Sequence, residues 1–482
     1  MYFVGEITVR KNILRTFMMT GFALLWTCNA QAVWYDNYQN LTSIYNKLDE
    51  FQTNHPDLVS SFSIGNSYEG REIRGVRISG TGGTKATRPA VLLNSAQHAR
   101  EWVSPMATMY AAEHLLNQYS TDSSIMDMLD EVDFYVIPVV NPDGYEYSWL
   151  SPSTRFWRKN RRINGNGTVG VDLNRNWGVG WGGGGSSGNT NSDTYRGTAP
   201  FSEPETQAMR DFYYDHQNLV ANVDFHSFSQ LILAPYGYSY TAEPADGDLL
   251  YAIADEMADS IYDVHGRIYE PQPATDLYQA SGISLDWTYD DQNVYSYTIE
   301  LRPAGPLVIS SFALPASEIL PTAEEAYAAV LDLGNITARL GAGDFNYDQQ
   351  FSLADIDALT YGVMNGSSRA EYDVNGDAEI NVEDVAAWLE NAAKENLSGG
   401  QSYLPGDANL DGVVDDEDFD IWFANRFAST SNWSQGDFNS DGIVNQDDFS
   451  IWAASATMVP EPGSLVLALG GCLLLCGKRW WG

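Results

Sequence analysis

Two periodicities alternate along the chain between about Val33 and Leu340. Ala90-Val91-Leu92-Leu93 is an uninterrupted apolar run, which predicts a short strand buried on both faces. Ser104-Pro105 follows, and Met109, Ala112, Leu116 and Tyr119 then recur at helical spacing. That pattern predicts a helix with Ser104 as its cap and Pro105 in its first turn. Val132 to Val140 predicts a second strand, ended by the turn-forming Asn141-Pro142-Asp143-Gly144. Gly178 to Gly188 predicts a loop, Tyr295 to Leu301 a late strand and Thr322 to Leu333 a closing helix. Strands alternating with helices in this way imply an α/β layer fold.

Beyond Gly341 the pattern changes to acidic loops. Four windows share one template, with Asp, Asn, Asp and Asp at positions one, three, five and twelve. They are Asp344, Asn346, Asp348 and Asp355; Asp373, Asn375, Asp377 and Asp384; Asp407, Asn409, Asp411 and Asp418; and Asp437, Asn439, Asp441 and Asp448. Oxygen ligands at that spacing suit calcium, so up to four Ca2+ ions are expected. The sharp turn at position six favours glycine, which only the third and fourth loops have (Gly412, Gly442); Gln349 and Ala378 stand there in the first two. Loops 407–418 and 437–448 are therefore the firmest candidates. Paired loops followed by apolar helical stretches (Val385 to Leu389, Phe419 to Phe423) resemble dockerin modules, here expected over 341–397 and 398–457. The resemblance implies a cohesin-like or cell-envelope partner.

Both ends carry targeting patterns. Arg10, Lys11 and Arg15, a short apolar stretch from Phe17 to Trp26 and Ala30-Gln31-Ala32 predict a secretory signal over 1–32. Over 458–482, Pro460-Glu461-Pro462, an apolar run from Leu465 to Cys476 and Lys478-Arg479 resemble the PEP-CTERM sorting signal of bacteria. Together they imply export to the exterior or cell envelope of a bacterium, with the membrane touched only transiently. A chain of 482 residues exceeds what one core usually organises. Its net charge of -38 argues against nucleic-acid partners, which need positive surface. Cys28, Cys472 and Cys476 all fall in the end segments, so no disulfide is expected in the mature protein and metals are the obvious staples.

The candidate chemistry lies in the region 33–340. His98 and Glu101, three residues apart where a loop enters a helix, can converge on one ion, and His226 in Val223-Asp224-Phe225-His226-Ser227 follows another strand-like run. Two histidines and a glutamate, with a fourth position left for water, suit hydrolytic zinc. These residues and the ordered blocks Ser67 to Arg71, Asn141 to Gly144, Phe156 to Lys159, Asp172 to Trp177, Pro235 to Tyr238, Tyr278 to Gly282 and Glu300 to Arg302 resemble the zinc carboxypeptidase family of the carboxypeptidase A type. The resemblance implies a mixed β-sheet flanked by helices and a monomeric catalytic domain acting on peptides or proteins. It implies His98, Glu101 and His226 as zinc ligands, Asp172 orienting His98, Glu300 as general base and Arg158 stabilising the oxyanion. It implies Asn174, Arg175 and Tyr278 as the clamp on the substrate's terminal carboxylate, with Arg100 serving residues further upstream.

The same alignment of motifs places Leu285 at the base of the side-chain pocket, with Ala280, Leu277 and Thr298 nearby. That lining predicts release of a hydrophobic or aromatic residue. Ile283 stands where animal digestive members have glycine and would narrow the pocket, and Asp276, if turned inward, would favour a basic residue instead. Arg302-Pro303 is expected to be cis.

Overall fold

The computed structural model describes residues 32–305 and 308–456. The secretory signal, apart from Ala32, and the sorting tail expected over 458–482 lie outside the described residues, as do all three cysteines. An eight-stranded mixed sheet forms the centre of the region 33–340, in the order β1-β2-β4-β3-β5-β8-β6-β7. The strands are β1 (Val59–Asn66), β2 (Glu72–Ile78), β3 (Ala90–Ser95), β4 (Asp133–Ile137), β5 (Leu219–Ser227), β6 (Leu231–Ala234), β7 (Glu270–Pro273) and β8 (Tyr295–Leu301). The middle four, β4, β3, β5 and β8, run parallel. Their apolar runs are buried on both faces because helices cover each side.

Helices α1 (Leu41–Asn54), α2 (Val103–Gln118), α3 (Ser123–Glu131), α4 (Pro142–Ser148), α5 (Pro204–Asp215), α6 (Gly247–His265), α7 (Ser284–Asp290) and α8 (Ile319–Ala342) surround the sheet. Three expectations need correction. The α2 helix starts at Val103 with Trp102 at its cap, and Ser104 makes no capping bond because it is already inside the first turn. Asn141 does not merely end a strand: its side chain accepts from Gly144 N and caps α4, with Pro142 in the first turn. The closing helix is α8 itself, which runs to Ala342 and so passes through the boundary expected at 340–341. Gly343 ends it in a left-handed conformation (φ 116°), and Asp344 follows directly. The Arg302–Pro303 bond is cis, as expected.

Each acidic loop is followed by a helix: α9 (Leu353–Met364), α10 (Val382–Asn396), α11 (Asp416–Asn425) and α12 (Gln446–Ser455). The two loop pairs, expected as successive modules, share one apolar core containing Phe351, Ile356, Trp388, Val414, Trp433 and Trp452. Trp433 N donates to Thr360 Oγ1 and Ser434 donates to Asp357, both acceptors lying on α9, which ties the second pair to the first.

The first pair is also fastened to the catalytic region. Arg369 pairs with Asp246 at the start of α6, donates to Tyr295 Oη of β8 (2.8 Å) and pairs with Glu371 (3.0 Å). Thr87 N donates to Gly376 O of the second loop, and within the body Lys85 Nζ donates to Gly341 O near the end of α8. Among the described residues, no helix is long and apolar enough to cross a membrane.

Candidate active site and metal centre

The neighbouring parallel strands β3 and β5 deliver the candidate metal ligands, and β8 delivers Glu300, to one edge of the sheet. After β3 the chain turns through Ala96, in the left-handed region (φ 55°), and presents Gln97, His98 and Glu101 before α2 begins. His226 lies next to the end of β5, and in the parallel register it stands beside Glu300 of β8. Ligand sites at the carboxyl ends of strands are a general property of such sheets.

His98 Nδ1 lies 2.9 Å from Glu101 Oε1, and His226 Nδ1 lies 3.0 Å both from Glu101 Oε2 and from His98 Nδ1. Among the described residues this is the one group of three or more potential ligands whose atoms lie within 4.8 Å of one another. The outward-facing ring nitrogens explain the arrangement. His98 Nε2 faces Asp172 Oδ1 at 3.1 Å and His226 Nε2 faces Asp224 Oδ2 at 2.9 Å. Each ring that donates outward to a carboxylate turns an Nδ1 lone pair inward. Two inward lone pairs 3.0 Å apart repel unless a cation lies between them. A His₂Glu set with both imidazoles oriented from behind therefore fits zinc.

Electrostatics fix the outer carboxylates. Burial alone would raise the Asp172 carboxyl, but Arg158 and then His98 outweigh it and hold it well below the usual carboxylate range. Arg158 donates to Asp172 Oδ2 from Nε (3.0 Å) and Nη2 (2.9 Å). Glu300 is the opposite case. Its Oε2 is shielded from solvent without a hydrogen-bond partner, and burial, with repulsion from Glu101, pushes the carboxyl up to about 8. A divalent ion at the ligands would pull it back down.

Asn174, Arg175 and Tyr278 line one cavity with His98, His226 and Glu300. Arg175 is anchored by Nε to Gly185 O (3.0 Å) and by Nη1 to Asn174 O (2.5 Å), while Asn174 Oδ1 accepts from Ser284 N (2.9 Å). Half-exposed Tyr278 places its ring 5.8 Å from the Arg175 guanidinium carbon. Leu233, Ala274, Leu277, Ala280, Ile283, Leu285 and Thr298 complete the cavity wall. Asp276 is exposed and is not part of that wall. Arg100 is not part of it either; its guanidinium lies over the Phe312 ring (4.2 Å) and 3.4 Å from Asp193.

Sequence reasoning missed Asp224. It precedes His226 by two residues on one strand, so both side chains share a face. Asn94, Gln97 and Ser284 all donate to its carboxylate. The alternation was the available signal, hidden because the whole strand is buried.

The acidic loops repeat one geometry. In every loop the position-one aspartate (Asp344, Asp373, Asp407, Asp437) accepts from the backbone N–H groups of positions five and six. The position-twelve aspartate (Asp355, Asp384, Asp418, Asp448) accepts from position nine and from position two or three. Asn346, Asn375, Asn409 and Asn439 donate to Asp348, Asp377, Asp411 and Asp441. Position six is left-handed in all four: Gln349 (68°), Ala378 (71°), Gly412 (88°) and Gly442 (82°).

Comparison with known proteins bears on residues 44–329, which match the family model described as zinc carboxypeptidase. Carboxypeptidase A1 of Rattus norvegicus is 41% identical over 308 residues, covering 63% of this chain and 71% of the relative. Carboxypeptidase A2 of Mus musculus is 42% identical over 292 residues, covering 60% and 68%. Among solved structures, bovine thrombin-activatable fibrinolysis inhibitor in complex with tick carboxypeptidase inhibitor superposes with a TM-score of 0.58 at 35% identity, covering 64% of this chain and 99% of that one. Carboxypeptidase A from Helicoverpa armigera gives 0.56 at 34% identity, over 63% and 74%.

Proposed function

Because the chain belongs to the zinc carboxypeptidase family, we propose that it hydrolyses the last peptide bond of its substrates at the His98–Glu101–His226 centre. The chain is a metallocarboxypeptidase, a hydrolase. The observation that carries the finer reading is the sharing of one cavity by His98, His226 and Glu300 with Asn174, Arg175 and Tyr278. A planar guanidinium fork matches a free carboxylate, so a peptide held by Arg175 presents its last amide towards Glu300. Zinc held by His98, Glu101 and His226 would supply Lewis acidity to the scissile carbonyl and to the attacking water. Glu300 accepts the proton from that water and delivers it to the leaving nitrogen. Arg158, fixed by Asp172, offers positive charge for the developing oxyanion. The apolar cavity wall supports release of a hydrophobic residue.

The recurring loop geometry supports calcium at the four acidic loops, because each carboxylate oxygen that accepts one backbone N–H keeps a second lone pair. Export rests on the N-terminal pattern, and a cohesin-like or envelope partner on the dockerin-like spacing.

Blocked dipeptides test the reading. Their C-terminal residue should be released, release should stop with a chelator, and zinc should restore it. Glu300→Gln should lower kcat by about 10²–10⁴-fold while metal analysis still finds zinc bound. Full activity in that variant, or after zinc is stripped, would refute the assignment.

A further inference from the structure

The side-chain cavity is small. Its apolar wall is a separate cluster of Leu233, Ala274, Ala280, Ile283 and Leu285, and the whole cavity, with the metal ligands and the clamp residues at its polar end, encloses about 30 Å³. A cavity that takes up a benzene ring measures about 150 Å³. An aromatic side chain therefore enters only if a wall moves.

Ile283 is a bulky member of that wall, hemmed in by its neighbours. Only 5% of it is exposed, and its β-branched side chain has restricted rotamers. A β-carbon built on Gly237 would lie 2.6 Å from Ile283 Cδ1, so the tip of Ile283 already rests against that stretch of backbone. The backbone opposite is tethered. Gly237 N donates to Asp286 Oδ1 (2.8 Å), and Gly237 O accepts from Ala280 N (2.8 Å). On its own side Ile283 is flanked by two tethers, Gly282 N to Val179 O (3.1 Å) and Ser284 N to Asn174 Oδ1 (2.9 Å).

We propose that Ile283 is a wedge that restricts the cavity to small aliphatic side chains, so that C-terminal alanine or valine is released in preference to phenylalanine or tyrosine. The proposal rests on the carboxypeptidase reading and narrows its substrate class. Asp276, exposed and outside the wall, offers no counter-charge for a basic residue.

The test compares kcat/KM for blocked dipeptides ending in valine and in phenylalanine, using the full zinc-loaded chain. The wild type should favour valine by at least about 10-fold, since one methylene's worth of fit discriminates by about 10–200-fold. Ile283→Gly should shift the ratio towards phenylalanine by at least about 100-fold, and Ile283→Val, which keeps most of the packing, should shift it part of the way. A second readout needs no turnover: binding of 3-methylbutanoate and 3-phenylpropanoate, the deaminated forms of valine and phenylalanine, measured by calorimetry. The wild type should bind the first more tightly and Ile283→Gly the second. Equal or faster release of phenylalanine by the wild type, or an unchanged ratio in Ile283→Gly, would overturn the wedge. If no peptide is cleaved, the carboxypeptidase reading fails by itself, and the two carboxylates still decide the wedge: tighter wild-type binding of 3-phenylpropanoate overturns it.

Discussion

The catalytic body and the repeat unit are both rich in carboxylates but use them in different ways. In the body, acids far apart in sequence are brought to one place and set against a cation, an imidazole or an amide. Asp172 lies between Arg158 and His98, and Asp224 collects Asn94, Gln97, Ser284 and His226. In the repeat unit each cluster comes from a short stretch of chain, and its position-one and position-twelve acids turn onto their own backbone N–H groups. The first arrangement needs the whole fold before any ligand group is in place. The second needs only a local turn, so it can be copied four times with little else preserved. What the copies do share is an apolar core, and the first pair, through Arg369, borders the body.

The border is where the comparison can be broken most severely. Arg369→Ala leaves Glu371, which is 1% exposed, and Asp246 facing each other's charge without the guanidinium between them. A loss of about 3 kcal/mol is expected. Because Tyr295 opens the strand that carries Glu300, tryptophan fluorescence and activity should be lost together in urea. A variant in which the repeats melt alone and activity keeps its midpoint would show two independent units.

A smaller effect separates two kinds of buried acid within the body. Glu205 is fully buried and, among the described residues, faces no cation; burial, with a lesser push from Glu203, raises its carboxyl from 4.5 to about 7. A raised acid favours the fold in its protonated form. Its contribution is complete below about pH 4.5 and is lost as pH rises through about 7. About 2 kcal/mol of it is lost by about pH 6. Glu205→Gln should flatten that part of the stability–pH curve measured by denaturation, whereas a curve with unchanged slope would place its titration elsewhere.

The smallest effects sharpen the contrast among the loops. Gln349→Gly and Ala378→Gly relieve a left-handed residue and should each stabilise by about 1 kcal/mol; Gly412→Ala, with its new β-carbon 3.3 Å from Leu397, should cost about 1–2 kcal/mol. Thermal melts of the single variants check the signs. Opposite signs would mean that position six is not what the loops strain against.

Much of the site was legible because its residues sit in motifs with their own chemistry. His98 and Glu101 share one short segment, and Tyr295 to Leu301 is the observed strand β8 to the residue. What escaped notice was decided by context. Asn141 looks like a strand terminator but caps a helix, because Pro142 can only start one there. Ser104 looks like a cap, yet helical hydrogen bonding already includes Val103. The α8 helix outruns its expected end because Ile336 and Leu340 are buried against the body, which no glycine at 341 could undo. Gln349 and Ala378 adopt the same turn as Gly412 and Gly442 because the position-one aspartate pulls two backbone donors inward whatever residue stands there.

The bond joining Thr87 to Gly376 and the ion pair of Arg369 with Asp246 fasten the two halves of the molecule to each other. A partner that gripped the acidic repeats would thereby also aim the mouth of the peptide cleft. An appendage on a loose tether would let the enzyme sweep its surroundings; one fastened in this way would serve as a handle, the direction of the grip dictating which chain ends come within reach.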